Sequence, residues 1–145
     1  EMRELFFGPY YEQSLTVKKG GRELLAALKN AHIPVALATS TAQASVLKEL
    51  KDAGIRDYFD QVVCGDMVSH SKPHPEIFLT ACAALGAKPE KTIVIEDSYN
   101  GIRAAHAGGM MPVMVPDMLQ PTGEIEKMTI AVCESLLVVK ENIGL

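Results

Sequence analysis

Four strand-sized apolar runs, the first three each followed by a stretch with helical patterning, constrain this chain more than any other feature. Val35-Ala36-Leu37-Ala38 is continuously apolar, as strands covered on both faces are. Before it, Gly20-Gly21 opens an amphipathic helix whose Leu24, Leu25, Leu28 and Ile33 share a face, and the segment stops ahead of Pro34. After it, a helix is predicted to about Ala53, before Gly54. The alternation repeats with strands at 62–64, 92–95 and 112–115 and helices at 75–85 and 101–107. A further short strand fits 129–133, a closing helix fits 134–142, and 120–123, with Pro121, reads as loop. Strands and helices in this order predict βαβ units with right-handed crossovers, hence an α/β fold on a parallel sheet. Met2 to Leu15 reads as helix by its Leu5, Phe6, Tyr10, Tyr11 and Leu15, with a break at Gly8-Pro9.

Composition narrows the setting. The 145 residues suit one domain. The net charge of -4 is spread among interspersed acids and bases, so no basic surface attracts a nucleic-acid backbone. Cys64, Cys82 and Cys133 are odd in number and widely spaced, which suits a reducing cytoplasm and neither a disulfide framework nor a zinc knuckle. No apolar run is long enough for a membrane helix, so a membrane partner is not expected.

In a parallel sheet, ligands bind beyond the carboxyl ends of the strands, and three polar motifs fall there. Thr39-Ser40-Thr41 ends the first apolar run, placing hydroxyls beside the free N–H groups of a helix start, where a phosphoryl oxygen fits. The same residues would serve equally as helix caps. Lys72, in Ser71-Lys72-Pro73-His74-Pro75, is a loop ammonium stiffened by proline; it can pin a phosphate or a carboxylate, although such pairs are common in solvated loops. His70 and His74 lie four apart, but Pro73 between them denies the regular helix that would align them on a metal. Glu96-Asp97 ends the 92–95 strand with paired carboxylates, which raise each other's pKa unless a cation joins them. Mg²⁺ is the hard, oxygen-seeking candidate, and two solvated surface acids are the plain alternative.

Read in order, the motifs Leu37-Ala38-Thr39-Ser40, Ser71-Lys72-Pro73-His74-Pro75-Glu76-Ile77-Phe78 and Ile95-Glu96-Asp97-Ser98-Tyr99-Asn100-Gly101-Ile102 resemble the haloacid dehalogenase superfamily, in particular its β-phosphoglucomutase-like phosphatases. Ala107-Gly108-Gly109 fits the family's next helix and turn. The resemblance runs from Val17 to about Val115 and implies a three-layer Rossmann-like core over 16–145, with 1–15 a remnant of the helical cap. It also implies an Mg²⁺-dependent, cytoplasmic phosphatase acting on a small phosphate ester such as a sugar phosphate, with a phosphohexomutase as its nearest variant. By that resemblance Thr39, with the backbone N–H groups of Ser40 and Thr41, would bind the phosphoryl group. Lys72 would bridge nucleophile and phosphoryl oxygens, Asp97 would ligate Mg²⁺ with Glu96 supporting the metal shell, and Ser98 and Asn100 would assist.

The departure from the family pattern is the absent Asp-x-Asp. In the family, an aspartate on the first strand attacks phosphorus to give an aspartyl-phosphate, and a second aspartate is the general acid and base. The first aspartate in this sequence is Asp52. The family places that strand mid-sheet, so the expectation is a vacant central slot with unpaired backbone groups at about 1 to 3 kcal/mol each. A missing N-terminal segment of the same protein, or a swapped neighbouring chain, would have to fill it. Two readings from other classes are a phosphoacceptor receiver domain, which places its acids before the hydroxyl and lysine rather than after, and a non-catalytic phosphate-binding or regulatory relative, which the absent nucleophile favours.

Overall fold

The elements run β1 (Glu4–Phe7), α1 (Gly21–Asn30), β2 (Val35–Ala38), α2 (Gln43–Ala53), β3 (Gln61–Val63), α3 (Glu76–Leu85), β4 (Thr92–Glu96), α4 (Tyr99–Ala107), β5 (Met111–Met114), α5 (Gly123–Met128), β6 (Ala131–Val132) and α6 (Leu136–Asn142) in the computed structural model, which describes residues 4–7, 20–116 and 119–145. Local chemistry sets most of these limits. Helices α2 and α3 each end on a glycine in the left-handed region, Gly54 at φ 72° and Gly86 at φ 68°. Thr122 and Ser135 cap α5 and α6, each accepting a hydrogen bond from the backbone N–H three residues on. The sequence reading lacks α5: its six residues are too few for a helical period, so the Thr122 cap and acidic first turn are its only marks.

The six strands form one parallel sheet in the order β3-β2-β1-β4-β5-β6. The expected vacant slot lies between β2 and β4, and Glu4–Phe7 occupies it. Leu5, Phe6 and Phe7 register with Val35, Ala36 and Leu37 on one side and with Ile93, Val94 and Ile95 on the other. A helix was the expectation for this segment. The backbone edges of β2 and β4 need partners, and Leu-Phe-Phe suits a strand, so tertiary pairing overrides the weak helical pattern. The family's own first strand is still not here, because β1 carries no aspartate and is followed by Gly8-Pro9-Tyr10. The rest of the expected cap remnant, residues 1–3 and 8–15, lies outside the described residues.

Alternating side chains feed two layers of helices. Val35, Leu37, Ile93, Ile95 and Val113 pack with Leu24, Leu28, Val46, Leu50, Leu136 and Val139 from α1, α2 and α6. On the opposite face Ala36, Ala38 and Val94 meet Ile77, Phe78, Ala81 and Cys82 of α3 and Ala104 and Ala105 of α4. The small alanines of β2 make room for the Phe78 ring on that face. Ile102, Met114 and Ile125 form a smaller cluster that seats α5. The expected three-layer α/β architecture is present, and Cys64, Cys82 and Cys133 are all buried free thiols. Among the described residues no helix is long and apolar enough to cross a membrane.

Because β1 is flanked on both sides, Phe6→Pro removes an N–H from the centre of the sheet. Urea unfolding should show a loss of about 2 kcal/mol or more. An unchanged midpoint would mean that residues 4–7 do not hold the slot.

Candidate active site

The polar turn after β2 is fixed by its neighbours. Thr39 is 4 % exposed, and its N–H donates to the Val63 carbonyl at 3.0 Å, extending the β2–β3 pairing by one step. Its Oγ1 accepts a hydrogen bond from the Thr41 N–H at 3.2 Å, so one of the two backbone donors expected for phosphate is engaged within the turn. Thr39-Ser40-Thr41 do not cap α2. The Asp66 carboxylate, from the turn after β3, accepts the Gln43 N–H at 3.2 and 3.3 Å, and Ala42 stands at the cap position. The Thr-Ser-Thr run ends too early for the capping role, which leaves the Ser40 hydroxyl exposed at the sheet rim.

Gly65 explains how close the two turns come. A Cβ there would lie 2.0 Å from the Ser40 carbonyl oxygen, while the Gly65 N–H donates to the Thr41 carbonyl at 3.0 Å. Nearby, burial and then the Asp66 charge push the Cys64 thiol above its ordinary range, so it remains an inert packing group.

Lys72 reaches inward from the loop between β3 and α3. Its side chain is 6 % exposed, and Nζ lies 2.8 Å from Glu96 Oε2, 3.5 Å from the Ala38 carbonyl and 4.9 Å from the centre of the Phe78 ring. Buried ammonium groups persist only when paired, and here a carboxylate and a ring face both attend it. The loop is secured by Glu76, whose carboxylate accepts the N–H groups of Ser69 at 3.0 Å and His70 at 2.9 Å. The Ser69 hydrogen bond first, and then the His70 side chain, hold the Glu76 carboxyl below its usual range.

Glu96 ends β4 fully buried. One oxygen takes Lys72 and the other accepts the Ser98 hydroxyl at 3.2 Å; Ser98 Oγ in turn accepts the Gly101 N–H at 3.0 Å and so caps α4. A buried carboxylate with both oxygens engaged is electrostatically satisfied. Asp97, next in the chain, is less buried than Glu96. Asn100 is exposed, and its Oδ1 accepts a hydrogen bond from Arg103 at 3.4 Å.

Of the residues singled out from sequence, Lys72, Glu96 and Ser98 are thus joined in one hydrogen-bonded chain that also touches the end of β2. Thr39 and Ser40 stand at the end of that same strand. Gly101, within the third motif, positions these groups, as do Gly65 and Asp66, which the motifs did not pick out. Their work is close approach and capping across the fold, which leaves no local signal in the sequence.

The sequence pattern of the haloacid dehalogenase-like hydrolases matches residues 7–115. A phosphorylated carbohydrates phosphatase of Thermotoga maritima is 41 % identical over 100 residues, covering 69 % of this chain and 46 % of that protein. The chain spans about half the length of the curated relatives it matches. A HAD phosphatase from Thermococcus onnurineus superposes with a TM-score of 0.80 at 26 % identity, over 89 % of this chain and 59 % of that one. A β-phosphoglucomutase from Clostridium difficile does so at 0.72 and 29 %, over 88 % and 57 %.

Gly101 gives the sharpest test of the geometry. A Cβ there would lie 2.1 Å from Glu96 Cδ and 2.4 Å from both carboxylate oxygens. Gly101→Ala must therefore push Glu96 off Lys72, and the protein should lose about 3 kcal/mol or more, as broken buried pairs do. A stability within about 0.5 kcal/mol of the parent would contradict the packing described.

Proposed function

Because the chain belongs to the haloacid dehalogenase-like hydrolase family, we propose that it forms the phosphate- and metal-facing side of an Mg²⁺-dependent phosphatase for small phosphorylated carbohydrates. The observation that carries this reading is the buried Lys72 ammonium held 2.8 Å from Glu96, at the rim where β2 ends in Thr39. A fixed cation and a hydroxyl at one rim of the sheet suit a phosphoryl group, whose transfer depends on positioning and charge neutralisation rather than on covalent work by the protein. The phosphorylated carbohydrates phosphatase among the relatives supports the substrate class.

The residues divide the work as follows. Thr39 and Ser40 offer hydroxyls to the phosphoryl oxygens, with the Ser40 and Thr41 backbone beside them; Thr41 must give up its bond to Thr39 Oγ1 to take part. Lys72 neutralises phosphoryl charge while Glu96, locked by Ser98, holds the ammonium in place. The donors at the end of β4 are carboxylate oxygens, which fit a hard divalent cation. Since Lys72 and Ser98 already engage both Glu96 oxygens, Asp97 is the principal ligand and Glu96 completes the charge around it. The cation, when bound, offsets negative charge on the ester. Asn100, exposed and bonded by Arg103 three residues on, has a supporting role.

The nucleophilic aspartate of an aspartyl-phosphate route comes from outside these 145 residues, since β1 ends at Phe7 with Gly8-Pro9-Tyr10 after it. A β-phosphoglucomutase-type reaction would use the same residues, and the likeness to the C. difficile enzyme favours it as the second reading.

The chain alone should release no phosphate from a sugar phosphate in the presence of Mg²⁺. A protein that joins it to the aspartate-bearing strand should do so, lose activity to a chelator, and drop by about 10²-fold or more on Asp97→Asn or Lys72→Ala. Turnover by the chain alone would refute the outside nucleophile. Unchanged rates in both variants would refute the roles given to Asp97 and Lys72, and phosphate binding without turnover would identify a regulatory relative.

A further inference from the structure

The loop that delivers Lys72 carries a second constellation on its outer side. His70 and His74 flank Lys72 in the sequence, and their rings stack with centroids 4.6 Å apart and planes 23° from parallel. The sequence argued against a metal here because Pro73 prevents a helix. The structure brings the two rings together by a different route, the turn of the loop itself, in which the His74 N–H donates to the Ser71 carbonyl at 3.0 Å. The Lys72–Pro73 peptide within this turn is cis.

Glu76 adds a carboxylate to the pair. Its Oε1 lies 3.0 Å from His70 Nδ1, and one ligand atom from each of His70, His74 and Glu76 falls within 4.8 Å of the others. The carboxylate is held in place by the Ser69 and His70 N–H groups, so it need not be ordered when a ligand arrives. His74 Nδ1 accepts the Glu76 N–H at 3.1 Å, so its one lone pair is taken up there, and ligation through this ring requires that bond to break. The His70 side chain is 65 % exposed and that of Glu76 29 %, so a hydrated ion can reach both.

We propose that His70, His74 and Glu76 form a binding site for a borderline divalent transition cation of the Zn²⁺ type, separate from the carboxylate site at the end of β4. Two imidazoles and one carboxylate suit such an ion, with water in the fourth position; Mg²⁺, which prefers oxygen donors, is not matched to it. Ligand bonds of about 2.0–2.2 Å require the three donors to draw in by an ångström or so, which an exposed loop permits. The buried thiols of Cys64, Cys82 and Cys133 do not compete for the ion in the folded chain. Since the two histidines flank Lys72, an ion bound here clamps the loop on both sides of the residue that reaches Glu96.

The test is equilibrium dialysis of the full chain against Zn²⁺ alone, paired with Co²⁺ titration read by visible absorption. One ion per chain is expected, with a tetrahedral Co²⁺ spectrum, no displacement by excess Mg²⁺, and affinity about tenfold or more weaker in His70→Gln and in His74→Gln. Both substitutions are at exposed positions, and matching thermal melts of the variants will establish that lost binding is not lost folding. Histidine ring NMR separates this site from others: His70 and His74 signals should move on adding Zn²⁺ while those of His32 and His106 stay in place. Absence of binding by the parent chain, or unchanged stoichiometry and affinity in the His70→Gln/His74→Gln double variant, would overturn the proposal.

Discussion

The buried ion pair between Lys72 and Glu96 is the interaction on which the site depends. Removing an ammonium and a carboxylate from water costs several kcal/mol per ion, and their attraction offsets this only when geometry is good and the remaining polar positions are filled. Here they are filled. Ser98 takes the second oxygen of Glu96, the Phe78 ring and the Ala38 carbonyl attend the ammonium, and Gly101 leaves the space that the carboxylate occupies. The pair therefore fixes the end of β4, the start of α4 and the loop before α3 relative to the end of β2. On the function proposed above, a phosphate ester meeting this rim would find a cation already oriented, so that little reorganisation would accompany binding.

The second constraint is the sheet's centre. Parallel strands buried on both faces cannot leave a backbone edge unpaired without a large penalty, and the gap between β2 and β4 is bounded by two such edges. Glu4–Phe7 satisfies both. This pairing also explains how a chain without the family's aspartate-bearing strand can present the remaining site residues in register. What β1 contributes is backbone; the chemistry of the missing aspartate is not in it.

Much of this was legible before any coordinates. The continuous apolar runs marked β2, β4 and β5 because strands buried on both faces need no polar alternation, and the order of hydroxyl, lysine and paired acids pointed to one rim. Nonlocal effects escaped. Glu4–Phe7 becomes a strand only because β2 and β4 lack a partner, a fact about residues some thirty and ninety positions away. Asp66 displaces the Thr-Ser-Thr run as the cap of α2 by reaching across from the turn after β3. The space required at Gly101 is set by a glutamate five residues earlier that is itself turned inward by Lys72. The histidines sit where the sequence denied a helix, and no helix joins them, but the turn through Pro73 stacks their rings, a contact that spacing alone does not give.

The most direct measurement is a double-mutant cycle on the central pair, with Lys72→Met, Glu96→Gln and the combination compared by urea unfolding. Each single change leaves its partner buried without a counter-charge and should cost about 3–5 kcal/mol. The combination should cost less than the sum of the two by roughly 2 kcal/mol or more, because the second change removes the orphaned charge left by the first. Additive losses, within about 0.5 kcal/mol, would contradict the claim that this pair organises the site.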